Sequence, residues 1–387
     1  MSLLGTVVRG IRTPIINCGD NIVRIVADSV AAAAKQNGIA ICSDDVVCVT
    51  EAVVAISQGN FASCDDIARD VAQKFPKAEC VGLVHPSPLS RNRFLNILKG
   101  IARGVKKLRV LVAPVDEVGN SLLKDYNPYE IDTALYTAAE FTKKYGKPMH
   151  KFTGLDYIEV FEQAHNNIEV YVSTDPAHIL KLADNVIAGT IHSRGQLKKY
   201  IEKLGAKKVI TLADILSSPS NGSGYNADYG VLGSNMAGEN KVKLFPRDAK
   251  KFVEELRGEI KKLTGTAPEC MVYGDGAFKD PVGGIWELAD PVVSPGFTAG
   301  LSGTSRPEVK LKNLVAQYEH LPASEREAKI REQIAGQGDL KIDDSKRLGT
   351  TPRQLPDLLG SLADLTTGSG SKGTPVVLVQ GYFKSRF

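Results

Sequence analysis

IEVYVS (Ile168–Ser173), NVIAGTIH (Asn185–His192) and KKVITL (Lys207–Leu212) are three short strand-like runs on one stretch of the chain. Between them lie PAHILKLA (Pro176–Ala183) and QLKKYIEKL (Gln196–Leu204), each patterned as a short helix. Strands alternating with helices read as parallel βα units, because parallel neighbours need a crossover between them. LRVLVA (Leu108–Ala113) reads as a further strand upstream. The polar run SSPSNGSG (Ser217–Gly224) then marks a boundary. The expected organisation is a first part over 1–106, an inserted parallel βα subdomain over 107–220, and a last part over 221–387. The alternative is one continuous domain with a loop at Ser217–Gly224.

Outward from that stretch the pattern stays mixed α/β. Ile22, Val23, Val26, Val30 and Ala33 predict a helix that opens after Gly19-Asp20 and stops at Gly38. DVVCVTEAVVAI (Asp45–Ile56) is rich in β-branched residues and reads as a buried strand or strand pair. Ser63 predicts the cap of a helix through Phe75, and Ser90 the cap of another to about Val105. Strands are expected at Lys241–Phe245, Glu269–Tyr273 and Pro375–Gln380, with helices over Arg247–Leu263 and Gln354–Thr366. Arg306–Asp344 reads as a charged helical region, and Gly274–Gly303 as an irregular Gly/Pro-rich loop.

Composition removes several function classes. The 387 residues carry 48 Lys+Arg and 44 Asp+Glu, a net charge of +4 with no long basic run, so a dedicated nucleic-acid binder is disfavoured. No apolar run reaches the roughly 18–20 residues of a membrane span, and the first residues lack the pattern of a signal peptide. The six cysteines show no CxxC spacing and the six histidines no metal-ligand spacing. The expectation is a reduced, cytoplasmic, globular protein.

Four motifs carry candidate chemistry. In MVYGDG (Met271–Gly276), Asp275 follows a strand and lies between glycines, which suits a metal or substrate ligand and equally a tight turn. Gly233-Ser234-Asn235 places a hydroxyl and an amide beside a glycine, as a ligand contact or a turn. Arg91 and Arg93 open a helix against its dipole, which fits anion binding or a solvated helix start. GSGSKGT (Gly368–Thr374) resembles a phosphate loop, but its helix–loop–strand order is the reverse of the one that aims amides at phosphate.

Taken in order, these segments resemble the F-420-0:gamma-glutamyl ligases. Arg12–Asn21 is similar to that family's opening TPLIKPGDD, and Asp45–Gly59 to its DILVVTxKIVSKAEG. Gly230–Asn235 with Leu244–Asp248 resembles AGVDxSN…LLPxDPD, Asp275 stands at the Asp of DTFGRPWR, and Thr350–Gly381 resembles the closing block. The blocks cover about half the chain. Asp275, Ser234, Asn235, Glu51 and Asp357 are kept, whereas Leu232 stands where the family has an Asp, Ala52 where it has a Lys, and Gly276 where it has a Thr.

The resemblance implies a ligase that attaches L-glutamate in γ-linkage to coenzyme F-420-0 or a related carboxylate acceptor, with GTP as co-substrate and Mg²⁺ or Mn²⁺. It implies small-molecule substrates, no nucleic acid or membrane partner, and a homodimer. Asp275 is then the first metal ligand and catalytic residue, with Glu51 the second ligand. Arg91 and Arg93, or Lys241, would neutralise the transferred phosphoryl group. Ser234, Asn235 and Ser57 would contact nucleotide or substrate. Two other readings stay open: a repurposed, non-catalytic nucleotide- or metabolite-binding protein on the same fold, and an unrelated α/β nucleotide-binding protein acting through the βα unit.

Overall fold

A computed structural model of the chain describes residues 5–85, 91–115, 128–149, 154–191, 193–274, 278–279, 286–287, 294–303, 311–335, 354–367 and 373–383, with backbone alone at 85, 91–93, 128, 278–279, 286–287 and 335. The architecture is mixed α/β. Among the described residues no helix is long and apolar enough to cross a membrane.

One five-stranded sheet draws on both ends of the chain. Its order is β1 (Val7–Ile11), β16 (Val376–Gln380), β2 (Val46–Thr50), β12 (Glu269–Tyr273) and β15 (Gly296–Phe297). β16 runs antiparallel to β1 and β2, β2 and β12 are parallel, and β15 is antiparallel to β12. Alternate residues face opposite layers, as the pleat requires. Val47, Val49, Cys270 and Val272 pack with α1 (Ile22–Gln36) and α8 (Ala249–Thr264). Val46, Cys48, Met271 and Tyr273 pack with α11 (Leu355–Thr367) through Leu359 and Ala363. α1 is capped by Asn21, whose side chain accepts from the Arg24 N–H at 3.1 Å.

A six-stranded sheet holds the βα units: β6 (Tyr136–Thr137), β7 (Ile168–Val172), β5 (Leu108–Val112), β4 (Val81–His85), β8 (Asn185–Ala188) and β9 (Lys208–Thr211), in that order. All neighbours are parallel except β6 and β7. Its strands therefore begin at Val81, upstream of the expected boundary at residue 107. α3 (Cys64–Lys74) and α4 (Arg91–Arg103) belong to the same core, with α5 (Ala138–Tyr145), α6 (Tyr157–Glu162) and α7 (Arg194–Lys203). Ser63 caps α3 in a reciprocal box with Asp66, as its sequence predicts. Pro176–Lys181 is a 3₁₀ helix capped by Asp175 rather than an α-helix.

A small third sheet, β10 (Asn235–Met236), β11 (Lys241–Lys243) and β3 (Phe61–Ser63), stands beside the others, and β13 (Phe278–Lys279) pairs with β14 (Trp286–Glu287). α9 (Leu311–Gln317) and α10 (Ala323–Ala335) occupy the described part of the charged helical region. The Ser217–Gly224 run is fixed at both ends: Leu216 N–H donates to buried Asp70 at 2.9 Å, and Gly224 N–H to the Phe61 carbonyl at 2.7 Å.

Asp45–Ile56 corrects the strand-pair reading. Only Val46–Thr50 is strand, and Glu51–Ser57 is the helix α2. A helix of 3.6-residue period buries Glu51, Val54 and Ala55 together, and this packing outweighs the β preference of its valines. The Ser90 cap lies outside the described residues.

Candidate functional site

Because β2 and β12 are parallel, their carboxyl ends lie side by side, Thr50 opposite Tyr273. In α/β proteins that end of a sheet is where ligands bind. The residues that follow, Glu51 and Gly274, meet over the fully buried ring of Phe245. A Cβ on Gly274 would sit 3.1 Å from that ring and 3.3 Å from Glu51 Cγ, so glycine permits the close approach. Gly233 presses on the same ring: at φ +77° a Cβ would lie 2.3 Å from it. Tyr229 packs edge-on, with ring centroids 5.1 Å apart. Phe245 thus gathers the Gly233–Asn235 turn, the start of α2 and the end of β12.

Beside the ring is a buried ion pair. Lys243 Nζ donates to both carboxylate oxygens of Glu51 at 2.5 Å, with side chains 8% and 3% exposed. This brings together residues 192 apart in sequence. Ser234 is 1% exposed and its Oγ has no hydrogen-bond partner, while Asn235 next to it opens β10. Leu232 is buried in the apolar core with Val231, Val242 and Leu244. Ser57 is also buried, but its hydroxyl donates to the Val54 carbonyl at 2.8 Å within its own helix. Asp228 and Glu239, the nearest acids in sequence, are exposed.

Lys241 is exposed, with its ammonium 4.4 Å from the centre of the Phe61 ring. Arg91 and Arg93 begin α4, and their side chains lie outside the described residues, as does all of Asp275. The structure therefore brings Ser234, Asn235 and Glu51 into one region and adds Lys243 and Phe245. The available signal for Lys243 was its place between Val242 and Leu244, which leaves a cation in an apolar run.

On the α11 side of the same strand ends opens a cleft of about 420 Å³. The 13–16 loop, Thr50, the start of α2, Tyr273, α11 and the 373–375 turn enclose it. Burial pushes the Tyr273 phenol well above its ordinary value, against the downward pull of Thr367 and Thr50. At the opposite end of β2, Cys42, Asp44 and Asp45 have ligand atoms within 4.8 Å of one another. There Asp45 accepts from the Cys42 N–H at 2.8 Å and from Gln380 at 2.7 Å, which ties the turn into the sheet.

The F420-0:gamma-glutamyl ligase model matches residues 10–381, which take in the six-stranded sheet, all of the five-stranded sheet but the start of β1, the Phe245 hub and the cleft. The chain belongs to that family. No curated protein matches it. Membership of the F420-0:gamma-glutamyl ligase family makes the chain a member of a ligase family with small-molecule substrates. Leu232, which the sequence resemblance sets where that family has an acid, is a buried apolar side chain worth about 1.5–3 kcal/mol on burial.

Proposed function

We propose that the chain joins L-glutamate in γ-linkage to a carboxylate acceptor, coenzyme F-420-0 or a relative, at the carboxyl ends of β2 and β12. The observation that carries the reading is the family match over residues 10–381. Amide formation from a free acid and amine is uphill in water and needs a driving reaction. In the proposed course an acceptor carboxylate oxygen attacks the γ-phosphorus of GTP, releasing GDP and leaving an acyl-phosphate. The glutamate nitrogen then attacks the acyl carbon, forming the C–N bond, expelling phosphate and losing a proton to solvent.

Mg²⁺ or Mn²⁺ would belong against the phosphates, and such ions require oxygen ligands. The described residues do not compose that site. Both Glu51 oxygens hold the Lys243 ammonium, and Leu232 offers no ligand atom. Asp275 is the ligand proposed for the ion from the sequence. Ser234 and Asn235 are assigned to hydrogen bonding with phosphate or carboxylate, and Arg91 and Arg93 to phosphoryl charge. The same reading carries a homodimer, which sedimentation checks.

The test is mass spectrometry of the acceptor after incubation with GTP, L-glutamate and Mg²⁺ or Mn²⁺, with GDP release measured in parallel. Acceptor heavier by one glutamyl unit, dependent on GTP, supports the reading. Absence of both products with folded protein sinks it. The Glu51–Lys243 pair and buried Leu232 favour one second reading, a repurposed binding protein that holds nucleotide or metabolite without turnover. Saturable GTP binding with no GDP release selects it.

A further inference from the structure

The turn that leads into β2 gathers a thiol and two carboxylates. Cys42 Sγ and one carboxylate oxygen from each of Asp44 and Asp45 lie within 4.8 Å of one another. Acids beside a thiol do not by themselves make a site, since water or the backbone can satisfy them. Asp45 is different, because it is 1% exposed and its two oxygens are used unequally. Oδ2 accepts from the Cys42 N–H at 2.8 Å and from Gln380 Nε2 at 2.7 Å. Oδ1 is buried and has no hydrogen-bond partner among the described residues. An ionised carboxylate can only accept, and an oxygen shut off from water without a donor is costly. Oδ1 therefore calls for a cation, and among the described residues no Lys, Arg or His pairs with Asp44 or Asp45.

We propose that this turn binds a zinc-type divalent cation through Cys42 Sγ, an Asp44 oxygen and Asp45 Oδ1. The sulfur sets the choice of ion: a thiolate suits borderline-soft Zn²⁺, whereas Mg²⁺ and Mn²⁺ prefer oxygen ligands. Three protein ligands leave the fourth tetrahedral position to water. Zinc bonds of about 2.0–2.3 Å set neighbouring ligands roughly 3.5 Å apart, so the half-buried Cys42 and Asp44 close in by about 1 Å. The Cys42 thiol releases its proton to solvent as the metal–sulfur bond forms. Gln380 Nε2 also donates to the Ala40 carbonyl at 3.0 Å, so the ion would clamp the α1–β2 connection onto β16. With about 3.3 Å per residue along β2, it stands roughly 16 Å from the strand ends where ligation is proposed. The ion is thus structural, and its site is independent of the ligase reading.

The test titrates Co²⁺, a spectroscopically visible substitute for Zn²⁺, into the reduced, chelator-treated full chain. The expected result is a saturable near-ultraviolet band of sulfur-to-cobalt charge transfer, removed by Zn²⁺ and kept in excess Mg²⁺. Zn²⁺ should also raise the melting temperature. Cys42→Ser should abolish the band, and Cys18→Ser should leave it intact. Asp44→Asn, at a half-buried position, should weaken Co²⁺ at least about tenfold and leave the apo melting temperature unchanged. Absence of a saturable band in the unmodified chain overturns the proposal, as does a band that survives Cys42→Ser. Mg²⁺ that displaces Co²⁺ as readily as Zn²⁺ does also overturns it. Asp45→Asn that raises the apo melting temperature without weakening Co²⁺ makes Oδ1 a mere cost of the turn, and the proposal fails.

Discussion

Removing the ammonium of Lys243 tests whether Glu51 is held as half of an ion pair or kept as a metal ligand. The two side chains are 8% and 3% exposed, and Lys243 reaches both oxygens of the carboxylate. Deleting one partner of such a pair strands a buried charge, which costs about 3–5 kcal/mol. Lys243→Met keeps the length of the side chain and should lose that amount in urea unfolding, with the midpoint falling and the slope unchanged. Glu51→Leu should cost a similar amount, and the double variant should recover most of it, giving a coupling of several kcal/mol. A stranded carboxylate takes up a proton more readily than an unfolded one. The Lys243→Met penalty should therefore be smaller in mildly acidic buffer and grow as pH rises. In the same variant Mn²⁺ should raise the melting temperature, because the cation replaces the lost ammonium. A single-variant cost under about 1 kcal/mol, with no coupling and no Mn²⁺ response, would falsify the buried-pair argument.

Gly233→Ala should destabilise the chain by about 2–4 kcal/mol, since φ is +77° and the new methyl would press on the Phe245 ring; an unchanged thermal melt refutes the role given to that ring. With Ellman's reagent the exposed Cys18 should react in the fast phase, and Cys18→Ser should remove that phase. Cys48, Cys64 and Cys270 are buried and burial pushes their thiols up, so they should react only on unfolding. Lys107 and Arg109 hold the Glu169 carboxyl below its ordinary value. Its contribution is present above the unfolded carboxylate range and lost as pH falls through the lowered folded value; Glu169→Gln should flatten that part of the acid limb, and an identical pH profile counts against the pairing.

The parallel sheet was legible in sequence because its strands at Leu108, Ile168, Asn185 and Lys208 are short runs rich in Val and Ile, the last three separated by helical spacing. β4 was not, because Gly82 interrupts it. The structure supplies the reason for that glycine: a Cβ there would lie 2.6 Å from Ile179 of the covering 3₁₀ helix. The second half of Asp45–Ile56 was misread because its valines carry a strand preference that tertiary packing overrides. Ser234 and Asn235 were found from a local motif. Lys243 was not, because its significance comes from an acid 192 residues away, and no local pattern encodes that distance.

The order of the five-stranded sheet also bears on how the chain is made. β16, made more than 300 residues after β1 and β2, sits between them, and Val7 pairs with Gln380. The six-stranded sheet is drawn from Val81 to Thr211 alone and can assemble while translation continues. Until β16 is made, β1 and β2 have no central strand between them and present valine-rich edges that other nascent chains can pair with. β1 and β2 are thus made early and buried late, so a chain stalled before Val376 is a natural client for chaperones however well its βα half has folded.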